Sequence, residues 1–92
     1  METEQSTELE LLKQVQTING EIVIVRASFF DRRFFTISDG LQQISLDSKH
    51  FENISDIDQV TLVLNLIKKR GYNLVGTTQT SQSTTEYTFQ KV

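Results

Sequence analysis

The chain has 92 residues and a mass of 10.6 kDa, which is the size of one small domain. It carries 9 Lys and Arg against 12 Asp and Glu, for a net charge of -3, and it contains no cysteine, tryptophan or proline. These counts exclude a disulfide scaffold, a zinc-thiolate site and a thiol nucleophile, and they argue against a strongly basic nucleic-acid-binding protein.

The N-terminal segment, residues 1–10, is rich in Glu and has no apolar stripe. We therefore expect an acidic flexible tail or short helix there, followed by a single domain over residues 11–92. Thr7 and Glu10 have the spacing of a capping box, which favours the short helix. The segment lacks the apolar region of a secretory signal, and no apolar run approaches the roughly 18 residues that cross a bilayer, so a cytoplasmic protein with no membrane contact is expected.

Asn19-Gly20 is the first turn signal, and it lies between residues 14–18 and 21–25, which are rich in β-branched side chains. An Asn-Gly pair between such runs is typical of a β-hairpin, because a type I′ turn needs positive φ at both central positions. The alternative is a helix over residues 7–18 that ends at Asn-Gly. The β-branched flanks favour the hairpin.

Residues 22–30 form the most apolar strand, and both of its faces are apolar as far as Val25, which predicts a central strand covered on both sides. A second hairpin signal, Asp39-Gly40, separates strands at residues 33–38 and 41–47. A two-residue turn at this pair would place Phe35 opposite Ile44 and Ile37 opposite Gln42.

A helix over residues 56–70 is the strongest element in the sequence. Ser55 is in position to cap it, acidic residues occupy its first turn, basic residues occupy its last turn, and Gly71 follows it. One apolar stripe runs along it at helical spacing and consists of Ile57, Val60, Val63, Leu64 and Ile67. Two further strands, near residues 72–77 and 85–91, follow the helix across an uncharged polar loop. The predicted fold is therefore α+β, an antiparallel, meander-like sheet of five or six strands with one main helix on one face.

The last third of the chain carries a recognisable arrangement. The helix ends in Lys69-Arg70-Gly71, Tyr72-Asn73-Leu74-Val75 follows at once, and the chain closes with Tyr87-Thr88-Phe89-Gln90-Lys91. Over residues 57–92 this resembles small uncharacterised bacterial domains in which a helix runs into Gly-Trp-Glu-Leu-Val and a final aromatic strand. Here Tyr72 replaces the usual Trp and Asn73 the usual Glu. The resemblance implies a compact α+β domain and no particular activity.

Leu62 and Leu66 lie outside the apolar stripe, about 140–180° around the helix from Ile57. They are neighbours at i and i+4, so they predict a second covered side of the helix. Either the N-terminal leucines fold over them or a second subunit does. We take Leu62 and Leu66 as the candidate interface of a protein-interaction or structural module that binds a second copy or another protein, and sheet-edge pairing by the Thr-rich strands near residues 77–88 is a further route.

An alternative function is weak binding of single-stranded nucleic acid. Arg26, Arg32 and Arg33 alternate with phenylalanines between residues 26 and 35, and such a surface could contact phosphates while stacking bases. Adjacent phenylalanines on a strand point to opposite faces, so one of each pair belongs to the core, and the negative net charge opposes a polyanion.

Catalytic chemistry has little support in the sequence. His50 is the only histidine, and no Ser, Asp or Glu stands at a spacing that predicts a triad with it. The four glycines are isolated, so there is no phosphate-binding loop. We expect no enzyme activity, no metal site and no cofactor.

Overall fold

The computed structural model describes residues 4–28, 34–47, 51 and 54–92 of the chain. The order of elements is α1 (Glu4–Val15), β1 (Ile22–Ser28), β2 (Phe34–Ser38), β3 (Gln43–Asp47), α2 (Asp56–Lys69), β4 (Tyr72–Ser81) and β5 (Thr84–Lys91). The five strands form one antiparallel sheet and the main helix packs on it, which confirms the predicted α+β fold.

The strands lie in the order β3-β2-β1-β5-β4, so β1 is central and β3 and β4 are the two edges. Consecutive hairpins join β1 to β2, β2 to β3 and β4 to β5. The long-range pairing of β1 with β5 unites the two halves, from Ile22 opposite Gln90 to Ser28 opposite Thr84. The helix α2 supplies the connection from one edge of the sheet to the other.

Both helices lie on one face of the sheet. On β1, Val23, Val25 and Ala27 are buried, whereas Ile22 and Ile24 are exposed. The prediction that β1 is central is confirmed, but the prediction that both of its faces are covered is wrong. The core lies between the covered face and the helices, and its members are Leu11, Val15, Ile18, Val23, Val25, Ala27, Phe35, Ile37, Leu46, Phe51, Val63, Leu66, Ile67, Tyr72 and Phe89.

The predicted hairpin at Asn19-Gly20 is wrong, because the chain before it is helical. Helix α1 ends at Val15, and residues 16–21 lead from it to the sheet. Gly20 is required there by close packing, since a Cβ at this position would collide with the backbone carbonyl oxygen of Asp39. The Asn-Gly pair therefore allows the loop after α1 to pack closely against the turn between β2 and β3. The residues around the pair do not distinguish this role from that of a hairpin turn.

The second predicted hairpin is present, with a different register. Phe35 lies opposite Leu46 and Ile37 opposite Ile44, two residues beyond the predicted pairing. The connection uses residues 39–42 because the Asp39 carboxylate accepts hydrogen bonds from the backbone N–H groups of Leu41 and Gln42, which closes a wider turn. Gly40 has φ of 90°, as the turn signal indicates.

Candidate interaction surface

Helix α2 has the caps that the sequence predicts. The Ser55 side chain accepts a hydrogen bond from the backbone N–H of Asp58 at 3.3 Å. At the other end Gly71 has φ of 96° and its N–H donates to the carbonyl of Lys68. These contacts fix where the helix begins and ends, and hence where β4 starts.

The buried face of α2 differs from the predicted stripe. Leu66, a candidate interface residue, is 1% exposed and belongs to the core, while Leu62 is partly buried against it. Ile57, a member of the predicted core stripe, is 79% exposed. Successive helical residues are separated by about 100°, so the buried face is rotated by roughly 60° from the predicted stripe toward the side of Leu62 and Leu66.

This rotation has a clear cause. Helix α2 contacts both α1 and β4, so two neighbours share its apolar residues. Leu11 and Val15 of α1 are fully buried in the cluster that contains Leu66, and Leu12 packs against it. The N-terminal helix thus covers the side of α2 for which the sequence analysis considered either this segment or a second subunit. Leu66 is therefore not accessible to a partner.

Among the side chains that the structure describes on the uncovered face of the sheet, most are polar. Ile22 and Ile24 on the central strand are 44% and 40% exposed. The cross-strand neighbours of Ile24 are Ser38 on β2 and Thr88 on β5. Hydroxyl and amide side chains thus surround the two isoleucines, an arrangement common on the solvated face of an antiparallel sheet.

Arg26, the one described member of the candidate nucleic-acid surface, lies on this uncovered face with its charge already paired. Its Nη2 atom is 2.7 Å from Oε2 of Glu86, and its Nε donates to the same oxygen at 2.8 Å. A carboxylate at that distance opposes the approach of a phosphate. Arg32 and Arg33 lie outside the described residues, as does His50.

The edge strand β4 has the most unusual surface of the described sheet. It is ten residues long, has no charged residue, and is exposed at every position except Tyr72 and Gly76. Its inner side pairs with β5, and among the described strands no other lies beside it. Its outer row of backbone N–H and C=O groups therefore faces away from the sheet.

Two irregularities interrupt the pairing of β4 with β5. Register shifts lie between Leu74 and Gly76 and between Gln79 and Ser81. Between them, residues 76–79 pair regularly, with Thr77 opposite Tyr87 and Thr78 opposite Glu86. Bulges at an edge limit the length over which another strand can pair, so residues 76–79 are the segment best arranged to receive one.

A polar network connects the loop between α1 and β1 to the turn between β2 and β3. One oxygen of Asp39 accepts a hydrogen bond from the Asn19 N–H at 3.0 Å, and the other accepts from Leu41 and Gln42. These bonds, with that from Asn19 the largest influence, lower the pKa of Asp39 to about 2. These bonds join the loop that follows α1 to the turn between β2 and β3.

Arg70, the C-cap of α2, and Tyr72, the first residue of β4, complete this network. Arg70 donates from Nη2 to the carbonyl oxygens of Gln16 and Ile18, and the hydroxyl of Tyr72 donates to the carbonyl of Gly20 at 2.6 Å. Burial, followed by the nearby charge of Asp39, raises the pKa of the Tyr72 hydroxyl, so it stays protonated as a donor. All of these polar groups are engaged with the protein itself, so the network is structural.

No protein-family model, curated protein or solved structure matches this chain. The resemblance of residues 57–92 to small bacterial domains therefore stays a prediction, although the helix, Gly71 and the strand that it implies are in place. Within the described residues, no helix is long and apolar enough to span a membrane, and no three acidic or histidine side chains cluster to hold a metal ion.

Proposed function

We propose that this chain is a protein-interaction module that binds a β-strand of its partner along the outer edge of β4. The observation that carries the proposal is the exposed, uncharged ten-residue edge strand. In this mode of recognition the backbone groups of an edge strand pair with an added strand, and the side chains on either face give selectivity.

The contrast with ordinary edge strands supports the proposal. Edges are commonly protected by charged side chains, proline, very short strands or a covering element, and bulges are a further protection. Strand β4 has bulges, but within the described residues it has no charged side chain and no proline, it is not short, and no element covers its outer edge. The other edge, β3, is five residues long and ends in Asp47, so it is both shorter and charged.

The other candidate surfaces are less suited to a partner. Leu66 is buried by α1, and Arg26 is paired with Glu86. Ile22 and Ile24 are separated from other apolar groups by hydroxyl and amide side chains, so they do not form a broad apolar patch. Of the surfaces within the described residues, only the β4 edge combines length, exposure and unpaired backbone groups.

A synthetic strand tests the proposal directly. A peptide that copies residues 72–81, acetylated and amidated at its ends, is added in excess to the chain, and backbone amide exchange is followed by mass spectrometry. We expect exchange in β4 to slow several-fold, because its outer N–H groups gain acceptors, while exchange in β3 stays unchanged.

The matched control is the same peptide with Thr77→Pro and Thr78→Pro. These changes remove a donor on each side of the peptide and interrupt an extended pairing, so this peptide should leave β4 exchange unaltered. Equal protection by both peptides would show binding without strand addition. Unchanged exchange in β4 of a monomeric chain would refute the proposal.

A further inference from the structure

We infer that the strand bound at the β4 edge is β4 of a second copy of this chain, paired antiparallel about a two-fold axis. The inference rests on the proposed strand addition and names its partner. The result is a dimer in which two five-stranded sheets continue into one another, with the helices of both copies on the same face.

Self-pairing requires a strand that tolerates its own side chains. An antiparallel two-fold pairing brings the residue on the axis opposite itself and its neighbours opposite each other. A charged residue at these positions would meet a like charge, which destabilises a cross-strand pair. The regular segment of β4, residues 76–79, is Gly-Thr-Thr-Gln, so every pair within it is uncharged, and a threonine on the axis can form a hydroxyl hydrogen bond with its counterpart in the other copy.

The charges nearest this segment favour the same partner. Glu86 lies opposite Thr78 on the next strand inward, and its carboxylate is paired with Arg26 at 2.7 Å. Two copies that meet at β4 therefore bring together neutral strands backed by internally paired charges. The net charge of -3 still repels two copies at long range, but the pairing of Glu86 keeps an unpaired carboxylate away from the seam.

Apolar surface beside the regular segment adds to the pairing. Leu74 and Val75 are 43% and 58% exposed. With the axis at Thr77, these two residues lie beyond the regular pairs, beside residues 79 and 80 of the other copy, so their side chains gain cover without regular backbone pairing. One strand pair remains a small interface compared with the roughly 1,200 Å² or more of stable complexes, so we expect a dimer that dissociates on dilution.

Single cysteines locate the contact, because the chain has none of its own. We expect Thr77→Cys or Thr78→Cys to form a disulfide-linked dimer under mild copper–phenanthroline oxidation, the faster of the two marking the axis, since two-fold pairing brings the Cβ atoms at the axis within disulfide range. Ser45→Cys, an exposed hydroxyl residue on the opposite edge strand, is the matched control and should stay uncrosslinked.

A charge at the axis provides an independent test by light scattering over a dilution series. Thr78→Lys places like charges opposite or next to each other in the dimer, while within one copy it faces Glu86 and keeps the fold, which circular dichroism checks. We expect the wild type and the control Ser45→Lys to form dimers at concentrations where Thr78→Lys is monomeric.

Each contrary result has a distinct meaning. A wild type that is monomeric up to about 1 mM overturns the inference. So does a dimer that survives Thr78→Lys and crosslinks at neither β4 cysteine. In either case slowed β4 exchange with the peptide would leave strand addition standing with another partner, whereas absent protection in a monomeric chain would remove both proposals.

Discussion

Asp39 links two loops with one carboxylate, and its protonation should therefore affect stability. It accepts three backbone hydrogen bonds, from Asn19, Leu41 and Gln42, and its pKa is lowered from 3.8 to about 2. A lowered folded-state pKa means that the stabilisation is fully present above the unfolded-state value and is lost as the pH falls through the folded-state value. The loss should occur between about pH 4 and about pH 2.

We expect Asp39→Asn to reduce the free energy of unfolding at pH 7 by about 1–2 kcal/mol, because one amide group cannot accept on both sides. Urea unfolding at pH 7 and at low pH measures the free energy of unfolding of both proteins. The difference in this free energy between Asp39→Asn and wild type should shrink toward pH 2. Glu21→Gln, at an exposed position just before β1, is the control. A difference that stays constant over this pH range would contradict the role assigned to Asp39.

The local part of this arrangement could be predicted from the sequence, and the long-range part could not. Asp39-Gly40 predicts a turn because its effects are local. The Asp39 carboxylate accepts hydrogen bonds from backbone N–H groups two and three residues later, and Gly40 adopts the positive φ that the turn needs. The bond to Asn19 and the close contact with Gly20 join residues about 20 positions apart. Nothing in the sequence near Asn19-Gly20 distinguishes that contact from a hairpin turn.

At the scale of elements, α2 shows why a correct helix can be given the wrong face. Its caps are local, so Ser55 and Gly71 predict its ends well. Its buried direction depends on two neighbours, β4 and α1, and the predicted hairpin placed the end of α1, from residue 14 on, in a strand. The sequence analysis assumed that the helix packs against a single neighbour. It therefore placed Ile57 in the core and Leu66 on the surface, the reverse of what the structure has.

Alanine substitutions separate the two assignments. We expect Leu66→Ala to lower the free energy of unfolding by about 2–4 kcal/mol, because it leaves a cavity between α2 and the rest of the core. Ile57→Ala should change it by less than about 0.5 kcal/mol, since that side chain is exposed. Denaturant titration of both variants gives the comparison, and a larger loss at Ile57 would restore the predicted stripe.

At the scale of the whole molecule, the fold class was predictable and the strand order was not. The hairpin at Asp39-Gly40 and the α2 helix follow from local patterns, and with β-branched strands around them they suffice to predict an antiparallel sheet with a helix on one face. The pairing of β1 with β5 is long-range, and it alone makes β4 an edge. The sequence analysis identified the Thr-rich strands near residues 77–88 as candidates for pairing with a partner strand. The strand order shows that β4 has a free edge, whereas β5 lies between β1 and β4.

Association at that edge should appear in the thermal stability. If the folded chain dimerises through β4, each tenfold rise in concentration above the dissociation constant adds about 0.7 kcal/mol per chain, half of RT ln 10. For a domain of this size that corresponds to an increase in Tm of about 3–5 °C. Thr78→Lys should remove the concentration dependence, while Ser45→Lys should keep it. Differential scanning calorimetry over a hundredfold concentration range measures it, and a wild-type Tm that does not change with concentration would mean that unfolding begins from a monomer.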